Sequence, residues 1–135
     1  MVFPYRRKPR ICVLTYKALT GLVLLAEARF RDRAEIVVDE YVLDDAVFRG
    51  RQLQQQGDVD VVVSAGYNAA VLRSQLELPV ASIDVTGFDL LHALKAARSI
   101  TPRVGLVVYS GSISELDAVR DLLLVDLEQL TYTTL

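Results

Sequence analysis

An α/β fold with a parallel sheet is predicted by the order of the chain's segments. Apolar runs of strand length alternate with amphipathic segments of helix length, a pattern that argues for parallel βαβ units under helices on both faces. At 135 residues, 52% hydrophobic and 24% charged, the chain is long enough for one packed core and too short for two full-sized domains.

Five strands are expected at residues 11–16, 36–41, 59–63, 80–85 and 104–109, with a weaker sixth at 127–133. The first helix is marked by Leu19, Leu22, Val23, Ala26 and Phe30 at helical spacing, with Arg29, Arg31, Asp32 and Arg33 near its polar end. The second, about residues 44–56, opens on Asp44 and Asp45 at its positive dipole end and stops at Gly57. A third helix spans about 68–76, and a fourth carries Leu90, Leu91, Leu94 and Ala97. Thr86-Gly87-Phe88-Asp89 before it has capping-box spacing with Asp in place of Glu, and Ser114-Glu115-Leu116-Asp117 repeats that arrangement before a fifth helix. Thr101-Pro102 breaks the chain before the fifth strand, because proline disfavours helix in the residue before it. The expected organisation is a basic tail at 1–10, an α/β lobe at 11–101 and, at 102–135, the beginning of a second lobe.

Charge and composition exclude several functions. The formal net charge is −2; four of the 15 basic residues (Arg6, Arg7, Lys8, Arg10) lie in the first ten positions, which leaves 11 basic against 17 acidic residues and a net −6 beyond them. The folded body is therefore not expected to bind nucleic acid, and the tail, with Pro4 and Pro9, reads as a solvated segment. No apolar run is long enough for a signal peptide or a membrane span. The single cysteine, Cys12, excludes an internal disulfide and fits a reducing cytoplasm.

In wound parallel sheets, ligands bind beyond the carboxyl ends of the strands. The loops there supply Tyr16 and Lys17, then Ser64, Ala65, Gly66, Tyr67 and Asn68, then Thr86, Gly87, Phe88 and Asp89. A small anion would accept bonds from amides at 66–68, from the Ser64 and Asn68 side chains and from Lys17 as a point charge. Asp84 and Asp89 weigh against an anion unless they receive ligand hydroxyls or cap their own helix. Catalytic and metal chemistry is sparse. Cys12 lies early in a strand, His92 is a surface or core-margin residue, and one His with one Cys cannot supply a zinc site. Asp39-Glu40 and Asp44-Asp45 are explained by solvation of a helix start. Neither GxxxxGK[ST] nor GxGxxG occurs, so no cofactor is expected.

The segments VDVVVSAGYNAAVLR, LPVASIDVTGFDLLHALKAAR and RVGLVVYSG, with the first strand and helix, resemble the N-terminal sensory domain of the propionate catabolism activator and related sigma-54-dependent bacterial regulators. The resemblance runs from Arg10 onward. It implies a cytoplasmic, non-enzymatic effector-binding module of two similar α/β lobes, the first a three-layer α/β/α lobe with parallel strands in the order 2-1-3-4. It also implies 2-methylcitrate, a tricarboxylate, as effector, with DNA and sigma-54 polymerase contacts made by domains outside this chain. Many relatives carry Arg-Gly-Gly-Thr after the serine, where this chain has Ala65-Gly66-Tyr67-Asn68, so a guanidinium that would hold a carboxylate is missing. Self-association through poorly covered apolar strands such as 104–108 is expected. Two rival readings remain: a racemase- or isomerase-like enzyme using Cys12 as acid or base, and a phosphoacceptor receiver domain, which would need carboxylates where Thr15-Tyr16 and Ser64-Ala65 stand.

Overall fold

A computed structural model describes residues 7–109 and 116–132. Its elements in chain order are β1 (Arg10–Thr15), α1 (Lys17–Phe30), β2 (Glu35–Glu40), α2 (Leu43–Gln56), β3 (Val61–Ala65), α3 (Gly66–Gln75), β4 (Val80–Ile83), α4 (Gly87–Arg98), β5 (Arg103–Tyr109), α5 (Leu116–Leu123) and β6 (Asp126–Tyr132). They divide into two compact units, Met1–Ile83 and Asp84–Leu135.

The first unit holds a four-stranded parallel sheet in the order β2-β1-β3-β4. β1 is central, with Cys12 beside Val37 on one flank and Val62 on the other. That order fixes the layers. From β1 the chain steps outward to β2, then reverses across β1 to β3 and on to β4; right-handed crossovers therefore put α1 on one face and α2 and α3 on the other. The α2/α3 face contains the buried cluster of Cys12, Leu14, Ala46, Leu53, Val62 and Leu72, with Val47, Val59, Leu76, Leu78 and Val80 packed around it. The alternate residues of β1, Val13 and Thr15, are also buried, as a strand covered on both faces requires.

α1 departs from the expected amphipathic packing, for none of its 14 residues is buried. Its half-buried positions are Leu19, Thr20, Val23 and Glu27, whereas Leu22 and Phe30 of the expected stripe face solvent. The helix touches β1 and β2, and the four inward positions recur at the three-to-four-residue spacing of one helix face.

The second unit pairs β5 and β6 in parallel, with Val104 beside Leu127 and Leu106 beside Gln129. Leu90 and Leu94 of α4 form a buried cluster with Leu116 and Val119 of α5, against Val104, Leu106, Leu123 and Leu127. α4 thus groups with the elements that follow it. The proline break at Thr101-Pro102, where the second lobe was expected to begin, lies inside this unit. Ser114 and Glu115 of the second capping-box motif, Thr133 at the end of the sixth strand and residues 1–6 of the basic tail lie outside the described residues.

The helix ends follow the sequence signals. Gly57 ends α2 in the left-handed conformation at φ 67°, its N–H bonded to the Leu53 carbonyl at 3.1 Å. A Cβ there would meet no neighbour within 4 Å, so only the backbone conformation opposes one. Gly57→Ala is therefore expected to lower stability by about 1 kcal/mol in urea denaturation.

Candidate functional site

In a parallel sheet all carboxyl ends lie at one edge, so in the first unit α1, α2 and α3 start beside one another above β1, β2 and β3. Their starts are unequal. α2 carries Asp44 and Asp45 in its first turn, and its first N–H, at Leu43, donates to Asn68 Oδ1 at 2.9 Å. α1 and α3 have no side-chain cap and no acidic residue in the first turn. Instead α1 begins with Lys17, a cation at the positive end of a helix dipole, an arrangement a helix does not choose for its own stability. Lys17 is exposed and has no ion-pair partner among the described residues.

The residues expected to bind a ligand fall into two groups. Tyr16 and Lys17 are exposed at the α1 start. Ser64 and Ala65 end β3, and Gly66 opens α3 at φ 52° with open space where a Cβ would stand. Tyr67 is half-buried beside it. These residues share one sheet edge, but two of their side chains are committed elsewhere. Ser64 is buried, and its hydroxyl donates to the Leu14 carbonyl across the strand pair at 2.7 Å, so its only proton is not offered to an anion. Asn68 is buried with its carbonyl on the Leu43 N–H, which leaves Nδ2 as its donor end. Leu43 is a non-glycine residue at φ 54°, so Asn68 secures a backbone conformation that L-residues avoid.

Thr86, Gly87, Phe88 and Asp89 belong to the second unit. Asp89 Oδ2 accepts from the Thr86 N–H at 2.8 Å and from its hydroxyl at 2.6 Å, while the Asp89 N–H donates back to Thr86 Oγ1 at 3.3 Å. This is the capping box the sequence spacing predicts, and the bonds from Thr86 hold the Asp89 carboxyl below its ordinary pKa. Phe88 is 74% exposed, its ring 6.4 Å from that of exposed His92.

Sequence reasoning missed a polar cluster under α2. Asp39 is in β2, not at a helix start, and its Oδ2 accepts from Arg49 Nε at 2.8 Å and lies 3.9 Å from Cys12 Sγ. A cavity of about 200 Å³ adjoins it, with Arg10, Cys12, Val37, Arg49, Leu53 and Val59 in its wall. Nothing in the spacing of Cys12, Asp39 and Arg49 announces the cluster; the register of Cys12 with Val37, two residues before Asp39, creates it. Burial, and then the Asp39 carboxylate, push the Cys12 thiol from its ordinary 9.0 to about 12. Such a thiol is protonated at neutral pH and is a poor acid or base there, which removes the support for an enzyme using Cys12. Among the described residues no group of three His, Cys, Asp or Glu side chains is placed to hold a metal, and β1 and β3 end on Thr15 and Ala65, without a receiver's acidic pocket.

Because the folded thiol titrates above the unfolded one, its neutral form stabilises the fold fully below about pH 9, and this contribution is lost as pH rises toward 12. Cys12→Ala is therefore expected to flatten the loss of stability between those values in denaturation curves taken across the alkaline range. The wild-type thiol is expected to resist alkylation at pH 7 until the protein is unfolded.

The comparisons agree with this architecture. A solved NtrC family transcriptional regulator from Clostridium acetobutylicum superposes with a TM-score of 0.79 at 20% sequence identity, over 96% of this chain and 67% of that one, a likeness of fold. No helix among the described residues is long and apolar enough to cross a membrane. The family model described as "Propionate catabolism activator" matches residues 30–135. The chain belongs to this family, as the N-terminal sensory domain of a propionate catabolism activator.

Proposed function

We propose that this chain is the effector-sensing domain of a cytoplasmic sigma-54-dependent activator and that it binds a small carboxylate, 2-methylcitrate being the tricarboxylate the family implies, at the carboxyl edge of the first sheet. One observation carries the reading. The two adjacent helix starts that lack both a side-chain cap and an acidic first turn, α1 and α3, follow the paired strands β1 and β3, whose loops also present Lys17 and the glycine turn at Gly66. A carboxylate placed there accepts N–H bonds from the first turn of α3, meets the Lys17 ammonium, and neutralises a cation that otherwise opposes the α1 dipole.

Ser64 shapes the site by tying β3 to β1 and does not touch the anion. Asn68 joins the α3 start to the loop before α2, so a ligand pulling on the amides at 66–68 also loads Leu43. The acidic residues at the neighbouring α2 start, Asp44 and Asp45, oppose a second anionic group on that side, where the ligand's hydroxyl is accommodated better than a carboxylate. The effector is held without covalent change, and contacts with DNA and polymerase belong to other domains of the regulator.

Calorimetry with 2-methylcitrate and citrate tests this. Binding heat is expected from the chain, with affinity reduced about tenfold or more, at least 1.4 kcal/mol, by Lys17→Glu. Thr86→Ala, which removes the α4 cap, is expected to cost about 1 kcal/mol of stability and leave affinity unchanged. Absence of heat with every carboxylate would remove the proposed ligand class.

A further inference from the structure

Among the described residues two leucines, and no other residue apart from glycine, have a positive φ. Leu124, at φ 51°, follows the end of α5, where a left-handed residue is the ordinary exit from a helix. Leu43, at φ 54°, stands at the first position of α2, where helical backbone calls for a negative φ. The neighbouring α3 is entered in the same way, but its first residue is Gly66, at φ 52°, for which the conformation carries no steric cost. Leucine disfavours the same conformation by a factor of about ten. Leu43 is 39% exposed, so burial of its side chain does not impose the turn. Residues in such a state persist only where their surroundings fix them, and they gather at switch regions.

What fixes Leu43 comes from α3. The buried Asn68 accepts the Leu43 N–H on Oδ1 at 2.9 Å. The turn is otherwise loosely made: no side chain caps it, its first helical bond, from the Ala46 N–H to the Val42 carbonyl, is 3.3 Å long, and residues 41–45 are exposed. Further along, α2 and α3 are locked together. At Gly50 the helices come so close that a Cβ would stand 2.6 Å from Leu76 Cδ1. Arg51 Nη2 donates to Gln75 Oε1 at 2.7 Å, and Gln54 Oε1 accepts the N–H groups of Glu77 at 2.7 Å and Leu78 at 3.2 Å, just past α3. Ala46 is already part of the buried cluster, so any rearrangement is confined to residues 41–45. The net contribution of one hydrogen bond, a factor of about five, is of the same size as the strain it opposes. Two arrangements of the turn therefore lie close in free energy.

We infer that Asn68 and Leu43 form a conformational latch. While Asn68 holds the Leu43 N–H, the first turn of α2 and the exposed Tyr41 and Val42 before it stay in the strained arrangement; release returns Leu43 to a negative φ and moves that loop. The input to the latch, though not the latch itself, rests on the site proposed above. A carboxylate on the first N–H groups of α3 fixes the turn that carries Asn68, and so selects the latched state in proportion to its preference for it. Binding at one helix start is thereby read out at the next.

Amide exchange and chemical shifts of the whole chain, followed by NMR without ligand, test the latch. Asn68→Ala should speed exchange of the Leu43 N–H about tenfold or more and move the shifts of residues 41–45. Leu43→Gly, corrected for the intrinsic rate of glycine, should slow exchange at position 43 about tenfold, and Leu43→Asn, which also tolerates a positive φ, should act in the same direction. Adding Leu43→Gly to Asn68→Ala should bring the shifts of Asp44 and Asp45 back toward the wild-type values, a rescue across two helices that a merely structural Asn68 would not permit. Unmoved shifts in Asn68→Ala, no slowing in either Leu43 variant, or failure of the rescue would overturn the latch. When 2-methylcitrate binds, exchange at Leu43 should slow further; binding that leaves it unchanged would overturn the coupling. Absence of binding counts against the ligand site alone, because the exchange measurements need no ligand.

Discussion

Parallel hydrogen bonding of β1 to both β2 and β3 is the constraint from which the rest of the first unit follows. It puts Cys12 and Leu14 under α2 and α3, turns Val13 and Thr15 toward α1, and sends every carboxyl end to one edge. A parallel sheet has no cheaper arrangement, because each strand must be reached by a crossover of the same hand. The gathering of helix starts at the edge is thus a consequence of winding. What suits the edge to the binding role proposed for it is the choice of residues there. Acidic first turns are present at α2 and α4, with a capping box at α4 and the Asn68 bond to the first N–H of α2, and are absent at α1 and α3.

The polar groups at this edge divide the work. Ser64 and Asn68 are short hydrophilic residues beside a glycine turn, yet each holds backbone in place, one a neighbouring carbonyl and the other the strained Leu43 amide. In the proposed site, recognition falls to the main chain and to Lys17. An anion bound by amides of a rigid turn costs little ordering on binding, and the Asn68–Leu43 bond gives the turn a mechanical link to the next loop.

Much of this was legible in the sequence. Strand runs, the Gly57 stop and the Thr86–Asp89 box are local signals, written in residues within four positions of each other, and they reappear with boundaries shifted by one or two residues. The strand order and the sensory role came through resemblance to a family, which the match over residues 30–135 supports. What stayed hidden depends on register. The Cys12–Asp39–Arg49 cluster joins residues 27 and 10 positions apart, and the Ser64 hydroxyl spends its proton on a residue 50 positions away. The α1 stripe misled for a different reason. The helix is apolar on more than one side, so periodicity predicted burial without saying which side, and Leu22 and Phe30 of the expected set point outward. The proline at Pro102 marks a local break in the helix, whereas compact units are set by which apolar faces meet, and Leu90 and Leu94 meet α5.

The most direct test of the central claim is an amide-resolved NMR titration of this chain with 2-methylcitrate. Saturating shifts confined to the start of α1 and to residues 65–68, with Leu43 following through Asn68, are the predicted result. Shifts gathered instead around Arg10, Glu35 and Val59, at the opposite edge of the sheet, or none at any amide of the α3 start, would contradict it.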